Sequence, residues 1–126
     1  MTALTGNGTA QALNDKLAGL DLAERLALVA ELGGRAVFTT SLGIEDQVIT
    51  AAIGTDRLAI DVVTLETGRL FKETVDLIDE TEGQYGITIT RYVPVQDDID
   101  AYAAQYGLNG FYESVEARHA CCSVRK

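Results

Sequence analysis

Apolar positions along this chain recur with two periods, and the changes from one period to the other mark out successive elements. Leu13, Leu17 and Leu20 share one helical face, and Leu22, Leu26, Val29 and Leu32 continue an apolar stripe. Asp21, with Glu24 three residues on, is an N-cap pattern. Residues 10–32 therefore predict one helix, or two broken near Gly19, ended by Gly33-Gly34. Residues 36–40 are a short β-prone run, and Ser41-Leu42-Gly43 is a turn. Residues 44–53 predict a helix with Glu45 and Asp46 in its first turn, where the helix dipole favours acids. Residues 58–64 predict a second strand, 65–69 a loop, and 70–82 a helix with Phe71, Val75 and Ile78 on one face. A third strand is predicted over 86–93 from the alternation of Ile87, Ile89 and Val93. Asp97 and Asp98 can cap a helix bearing Ile99, Tyr102, Ala103 and Tyr106, which Gly107 terminates. Residues 114–122 predict one more short helix.

Strands alternating with helices of this length imply an α/β fold: an open, mainly parallel sheet with helices on both faces. The order predicts one domain, in which a helical segment (1–34) precedes the α/β part (35–126). Ligands on such sheets bind outside the carboxyl ends of the strands. That rule brings Thr39-Thr40-Ser41, Glu66-Thr67-Gly68 and Pro94-Val95 to one edge.

Composition narrows the chemistry. With 47% hydrophobic residues and one proline in 126 residues, the chain reads as a folded globule. No apolar run approaches the length of a membrane helix, so no membrane association is expected. The first ten residues carry neither the basic nor the apolar stretch of a secretory signal, so a cytoplasmic protein with reduced thiols is expected. The net charge of −9 argues against general nucleic-acid binding, which needs a basic face. The charge is uneven, however: Arg118, Arg125 and Lys126 stand in a final stretch without acids. A local basic pocket for a small anion fits that distribution, and so does a solvated basic tail.

Three segments carry candidate chemistry. In Thr39-Thr40-Ser41-Leu42-Gly43-Ile44-Glu45-Asp46-Gln47 a strand passes through hydroxyls and a glycine into a helix N-terminus. Free N–H groups and the helix dipole make such a junction an anion site. A plain strand–helix turn with capping hydroxyls reads equally well. No Walker loop or dinucleotide fingerprint is present. Leu65-Glu66-Thr67-Gly68-Arg69 follows the second strand and offers an acid, a hydroxyl and a cation to a nucleotide, or is simply a turn. Cys121 and Cys122 are the only cysteines. They read as ligands of an iron–sulfur cluster or metal, as reactive thiols, or as small structural hydrophobes. Arg118, His119, Arg125 and Lys126 around them favour thiolate and offset negative charge. His119 has no evident acid–base partner and reads as solvated or structural; Tyr102, Tyr106, Phe111 and Tyr112 read as packing residues.

Taken in order, TTSLGIEDQVI, LETGRLFKET and RHACCSVRK resemble three motifs of the adenylyl-sulfate and phosphoadenylyl-sulfate reductase family, over residues 38–126. The first resembles that family's modified pyrophosphatase-type loop. The second resembles its L-D-T-G-R-L-F-x-E-T segment, with Glu66 in place of aspartate. The third resembles its R-x-x-C-C-x-x-R-K block, which marks the iron–sulfur branch. The resemblance implies an adenine-nucleotide α-hydrolase fold of the PP-loop superfamily. It implies reduction of adenylyl sulfate to sulfite and AMP, with thioredoxin as donor. Thr40, Ser41, Gly43, Glu45 and Asp46 would lie against the phosphosulfate, and Thr67 and Gly68 would border the nucleoside. Arg118 and Lys126 would lie near the sulfate, and Cys121 and Cys122 would be two of four ligands to a [4Fe–4S] cluster.

The family's later C-x-x-C pair and its nucleophilic cysteine have no counterpart in residues 1–126. The chain is therefore expected to be the N-terminal part of a reductase, without turnover of its own and without a complete cluster. Exposed sheet edges in such a piece make self-association into a homo-oligomer an expectation. The cysteine pair leans toward adenylyl sulfate over its 3′-phosphorylated form. Two other readings remain open. An ATP pyrophosphatase of the same superfamily carries S-G-G-x-D-S, whereas Leu42 and Gln47 depart from that loop here. A non-catalytic nucleotide-binding or redox-responsive remnant fits the missing nucleophile.

Overall fold

The computed structural model describes residues 7–126. The first helical segment is two helices, α1 (Asn7–Leu17) and α2 (Leu22–Glu31), separated around Gly19. Asp21 caps α2, its carboxylate accepting the Glu24 N–H at 2.9 Å. Then follow β1 (Ala36–Thr39), α3 (Ile44–Thr55), β2 (Ile60–Leu65), α4 (Lys72–Tyr85), β3 (Ile89–Tyr92), α5 (Gln96–Tyr106), a single 3-10 turn at Gly110–Tyr112, and α6 (Val115–Arg125). The element order agrees with the sequence pattern, apart from the 3-10 turn.

The three strands are parallel, in the order β1-β2-β3. Ala36 pairs with Ile60 and Phe38 with Val62, while Val62 pairs with Ile89. These residues therefore share one face. Ile53 of α3 and Ile78 of α4 pack there with Ile60, Val62, Ile89 and Leu42, and Leu26 and Ala30 of α2 close the cluster. The two connecting helices, α3 and α4, thus both lie on this side of the sheet, as right-handed crossovers running in one direction require. On the opposite side Val63 is buried, but Val37, Leu65 and Tyr92 are exposed. The packed core thus lies on one face of the sheet.

Several expectations are corrected in detail. Phe71 is not on the buried face of α4. It precedes the helix as its N-cap residue, with extended backbone, and is 80% exposed. Ile78 and Thr81 fill the buried face instead. The third strand is four residues long, so Val93 lies beyond it and is exposed. Asp97 and Asp98 do not cap α5: Val95 holds the N-cap position, and both acids sit in the first turn. The last helix runs on to Arg125, with the Ser114 hydroxyl accepting the Ala117 N–H at its start.

The β1–α3 junction is built under strain. Leu42 has φ 67, in the left-handed region that disfavours side chains. It is also 6% exposed and belongs to the core cluster. Burial of its side chain, worth about 1.5–3 kcal/mol, offsets a backbone cost of about 1–2 kcal/mol. Its N–H donates to the Thr40 hydroxyl at 2.9 Å. This is the position at which the S-G-G-x-D-S loop has glycine, so the departure is tolerated because the core holds it. Beyond it, the Ser41 N–H and hydroxyl both donate to Asp46 at 2.8 Å. The Ser41 N–H, then its hydroxyl, hold the Asp46 carboxyl below its usual value of 3.8; Gly43 and Thr40 add less, and desolvation opposes them.

Two outcomes follow from this packing. A Cβ on Gly54 would meet the Tyr85 carbonyl oxygen at 2.7 Å and Tyr85 Cβ at 2.9 Å. Gly54→Ala is expected to cost about 1–3 kcal/mol, read as a lower urea midpoint at unchanged slope. A carboxyl whose folded value is depressed contributes stability above its unfolded value and loses it as pH falls through the folded one. Carbon-13 NMR of Asp46 should therefore show titration below 3.8, and Ser41→Ala should move it upward. An Asp46 midpoint at or above 3.8 in the unmutated chain would contradict the hydrogen-bond account.

Candidate functional site

The carboxyl edge of the sheet opens into a cavity of about 560 Å³. Thr39, Thr40, Ser41, Leu42 and Asp46 line one wall, and Val63, Thr64, Leu65 and Thr67 form the floor; Leu70, Thr74 and Lys126 complete it. The wall and floor are tied together. The Thr40 N–H donates to the Val63 carbonyl at 2.9 Å, and the Thr64 hydroxyl donates to the Thr40 carbonyl at 2.8 Å. The helix α3 N-terminus, which has Gly43 as its N-cap residue and no side-chain cap, starts at this wall. Its dipole favours negative charge there.

A second hollow of about 260 Å³ adjoins the first. Thr67, Arg69, Phe111, Arg118, Cys121, Cys122, Arg125 and Lys126 line it. Thr67 and Lys126 belong to both hollows, so the strand–helix turn and the paired thiols share a boundary. Helical spacing puts Arg118, Cys121, Cys122 and Arg125 at i, i+3, i+4 and i+7, along one stripe of α6. Cys121 is half-buried and Cys122 exposed.

One contact joins the two walls. Arg125 is 7% exposed, and its Nη1 donates to the Thr67 carbonyl at 2.6 Å. Its Nε has no hydrogen-bond partner. Among the described residues it makes no ion pair with a carboxylate. Gly68 lies against it with φ +77, and a Cβ there would stand 3.1 Å from Arg125 Nη1. Glycine thus spares the left-handed turn its steric cost and lets the guanidinium approach closely. Glu66 closes the same loop by accepting the Gly68 N–H at 2.8 Å, and the Thr67 hydroxyl accepts the Arg69 N–H at 3.2 Å. Arg69 in turn donates to Asn109 and lies 5.0 Å from the centre of the Phe111 ring.

Of the residues singled out in sequence, Thr40, Ser41, Asp46, Thr67 and Lys126 line the larger cavity. Arg118, Cys121 and Cys122 line the smaller one. Gly43 and Glu45 sit at the start of α3 without lining either, and Gly68 supports Arg125 from behind. Pro94 and Val95 share the sheet edge but line neither hollow. His119 is exposed. Leu70 and Thr74, which no motif singles out, also line the larger cavity, and Arg125, in sequence only a nearby cation, lines the smaller one. The i, i+4, i+7 stripe of α6 is the signal that singles out Arg125. The donors of Ser41 differ from expectation, since both are already held by Asp46.

Residues 35–126 match the phosphoadenosine phosphosulfate reductase domain. The chain is 77% identical over its whole length to an adenosine 5′-phosphosulfate reductase of Agrobacterium fabrum, covering 49% of that protein. It is 71% identical over its whole length to the Sinorhizobium fredii (strain USDA 257) protein of the same name, covering 50% of it. The chain thus spans about half the length of the curated relatives it matches. In three dimensions it resembles the phosphate complex of phosphoadenylyl-sulfate reductase from Candida auris. The TM-score is 0.80 at 22% identity, over all of this chain and 61% of that one, which shows a shared fold. The ordered motifs, the parallel sheet and the domain match agree: this chain belongs to the phosphoadenosine phosphosulfate reductase domain family.

Proposed function

We propose that this chain is the N-terminal part of an assimilatory adenylyl-sulfate reductase, and that its two adjoining hollows hold the sulfonucleotide. The shared boundary at Thr67 and Lys126 carries this reading. It lets one small molecule touch both the strand–helix turn and the stripe of cations and thiols on α6. The names of the most similar relatives support adenylyl sulfate over its 3′-phosphorylated form.

In this reading the nucleoside rests on the floor formed by Leu65 and Thr67, and the phosphosulfate lies between α3 and Lys126. Because Asp46 occupies both Ser41 donors, the anion draws its charge complement from Lys126 and the α3 dipole. Asp46 keeps Ser41 oriented. Reduction starts with thiolate attack on the sulfate sulfur, and the S–O bond to the nucleotide breaks with AMP as leaving group. Lys126, at the mouth shared by the two hollows, stabilises the charge that develops on the departing phosphate. In this reading the attacking cysteine lies outside residues 1–126, and thioredoxin releases sulfite from it. Reduced thiols on a family of this kind fit the cytoplasm.

The family's iron–sulfur branch implies a [4Fe–4S] cluster on Cys121 and Cys122. Two thiols on adjacent positions of one helix supply half of a four-thiolate set. Among the described residues no group of three or more His, Cys, Asp or Glu could hold a metal ion. The residues present do not complete a cluster site, and no step above passes through one.

Calorimetric titration tests the binding reading. Adenylyl sulfate is expected to bind and ATP to bind at least about tenfold more weakly. Tighter binding of ATP would favour the pyrophosphatase reading instead. Lys126→Ala should weaken adenylyl sulfate by about tenfold or more, and Ser41→Ala by less than about threefold. The reverse ranking would overturn the assignment of the anion to Lys126. With thioredoxin, thioredoxin reductase and NADPH supplied, residues 1–126 are expected to release no sulfite. Steady sulfite production would place the nucleophile within them.

A further inference from the structure

We propose that Gln47 is a positioning residue for the larger cavity: its side-chain amide, bonded to Thr81 across the α3–α4 seam, sets the separation of the two helices that bring Asp46 and Thr74 to that cavity. Gln47 follows Asp46 and closes the first turn of α3, its N–H donating to the Gly43 carbonyl at 3.0 Å. Successive helical positions point about 100° apart. Asp46 therefore turns to Ser41 and lines the cavity, while Gln47 turns to α4.

The seam contact is a relay of two hydrogen bonds. Gln47 Nε2 donates to the Thr81 hydroxyl at 3.0 Å, and that hydroxyl donates to the Leu77 carbonyl, one turn back in α4, at 2.6 Å. A hydroxyl that has given its one hydrogen can only accept, so the amide must present nitrogen to it. Thr81 is buried, which keeps water from competing for the bond. Among the described residues no other side-chain hydrogen bond joins α3 to α4. Thr50, one turn along α3 and fully buried, leaves its hydroxyl without a partner.

Packing alone does not close the seam at this end. A cavity of about 170 Å³ opens there, with Gln47, Leu77, Thr81 and Tyr85 in its lining. At the other end of α3 the helices meet through backbone, where Gly54 lies against Tyr85. Beyond the shared core, α3 is thus held to α4 at two places, and Gln47–Thr81 is the one next to the cavity. The bond adds little net stability, because Gln47 Oε1 is buried without a partner and an orphaned acceptor costs about as much as a hydrogen bond gains. Methionine would fill a similar volume without that cost, but it has no direction to impose on Thr81.

Gln47→Met therefore separates placement from stability. Its urea midpoint is expected to stay or rise. Hydrogen exchange at the Gln47 and Val48 amides, in the first turns of α3, should quicken about tenfold, while exchange at Ile53 does not. Adenylyl sulfate should bind about fivefold more weakly in calorimetry. Thr81→Val should reproduce these changes and Thr81→Ser none of them, and Gln47→Met with Thr81→Val should do no more than either alone. A lowered midpoint with exchange quickened along all of α3 would mark a merely structural contact and overturn the inference. Unchanged exchange at Gln47 and Val48, or full affinity in Gln47→Met, would overturn it too. The binding arm rests on the sulfonucleotide reading: if the unmutated chain binds no adenylyl sulfate, that reading falls, and the exchange pattern decides the role of Gln47.

Discussion

A buried guanidinium organises the functional end of this molecule. Arg125 gives up most of its hydration and receives one hydrogen-bonded carbonyl, that of Thr67, in return. A buried charge with so few partners is costly unless an opposite charge meets it. The groups around it are the paired thiols, Lys126 and the open mouths of the two hollows. An anionic ligand in either hollow would meet that poorly compensated charge. The same contact ties the cysteine helix to the loop after β2, and with it the smaller hollow to the larger.

That tie also explains the construction of the neighbouring loop. Glycine suits position 68 because its backbone turns left-handed and Arg125 lies against it. Glu66 fastens the turn from within. On the other wall, Leu42 performs a turn ordinarily left to glycine, held by the core through its side chain. Both walls thus spend packing energy to hold backbone in unusual shapes beside the cavity, a pattern common at functional sites. The second wall also disposes of its own donors, since Asp46 takes both that Ser41 offers.

Much of this was legible in the residue pattern. Asp21 with Glu24, the glycines at 33 and 107, and the two apolar periods locate most elements because caps and periodicity are local physics. The failures are equally local in cause. Phe71 reads as one more member of the Val75–Ile78 stripe, but the helix begins one residue later and leaves it in solvent. Val93 continues the alternation of β3 after the ladder has ended. Asp97 and Asp98 are good caps in principle, but Val95 holds the position. In the candidate site, hydroxyls and acids were found by motif, whereas Leu70 and Thr74 line the cavity only because α4 starts where it does.

By itself the sequence determined the α/β order, the parallel sheet, the family, and the three segments that meet at one sheet edge. These follow from short-range periodicity, turn chemistry and motif order. Only the tertiary structure decided that both crossover helices cover the same face, that Asp46 claims the Ser41 donors, and that Arg125 bridges α6 to Thr67. It alone joined the Tyr102 hydroxyl of α5 to the Ala117 carbonyl of α6. Each of these joins residues whose pairing depends on crossover direction, helix length and burial, and such quantities are set by the packing of the whole chain.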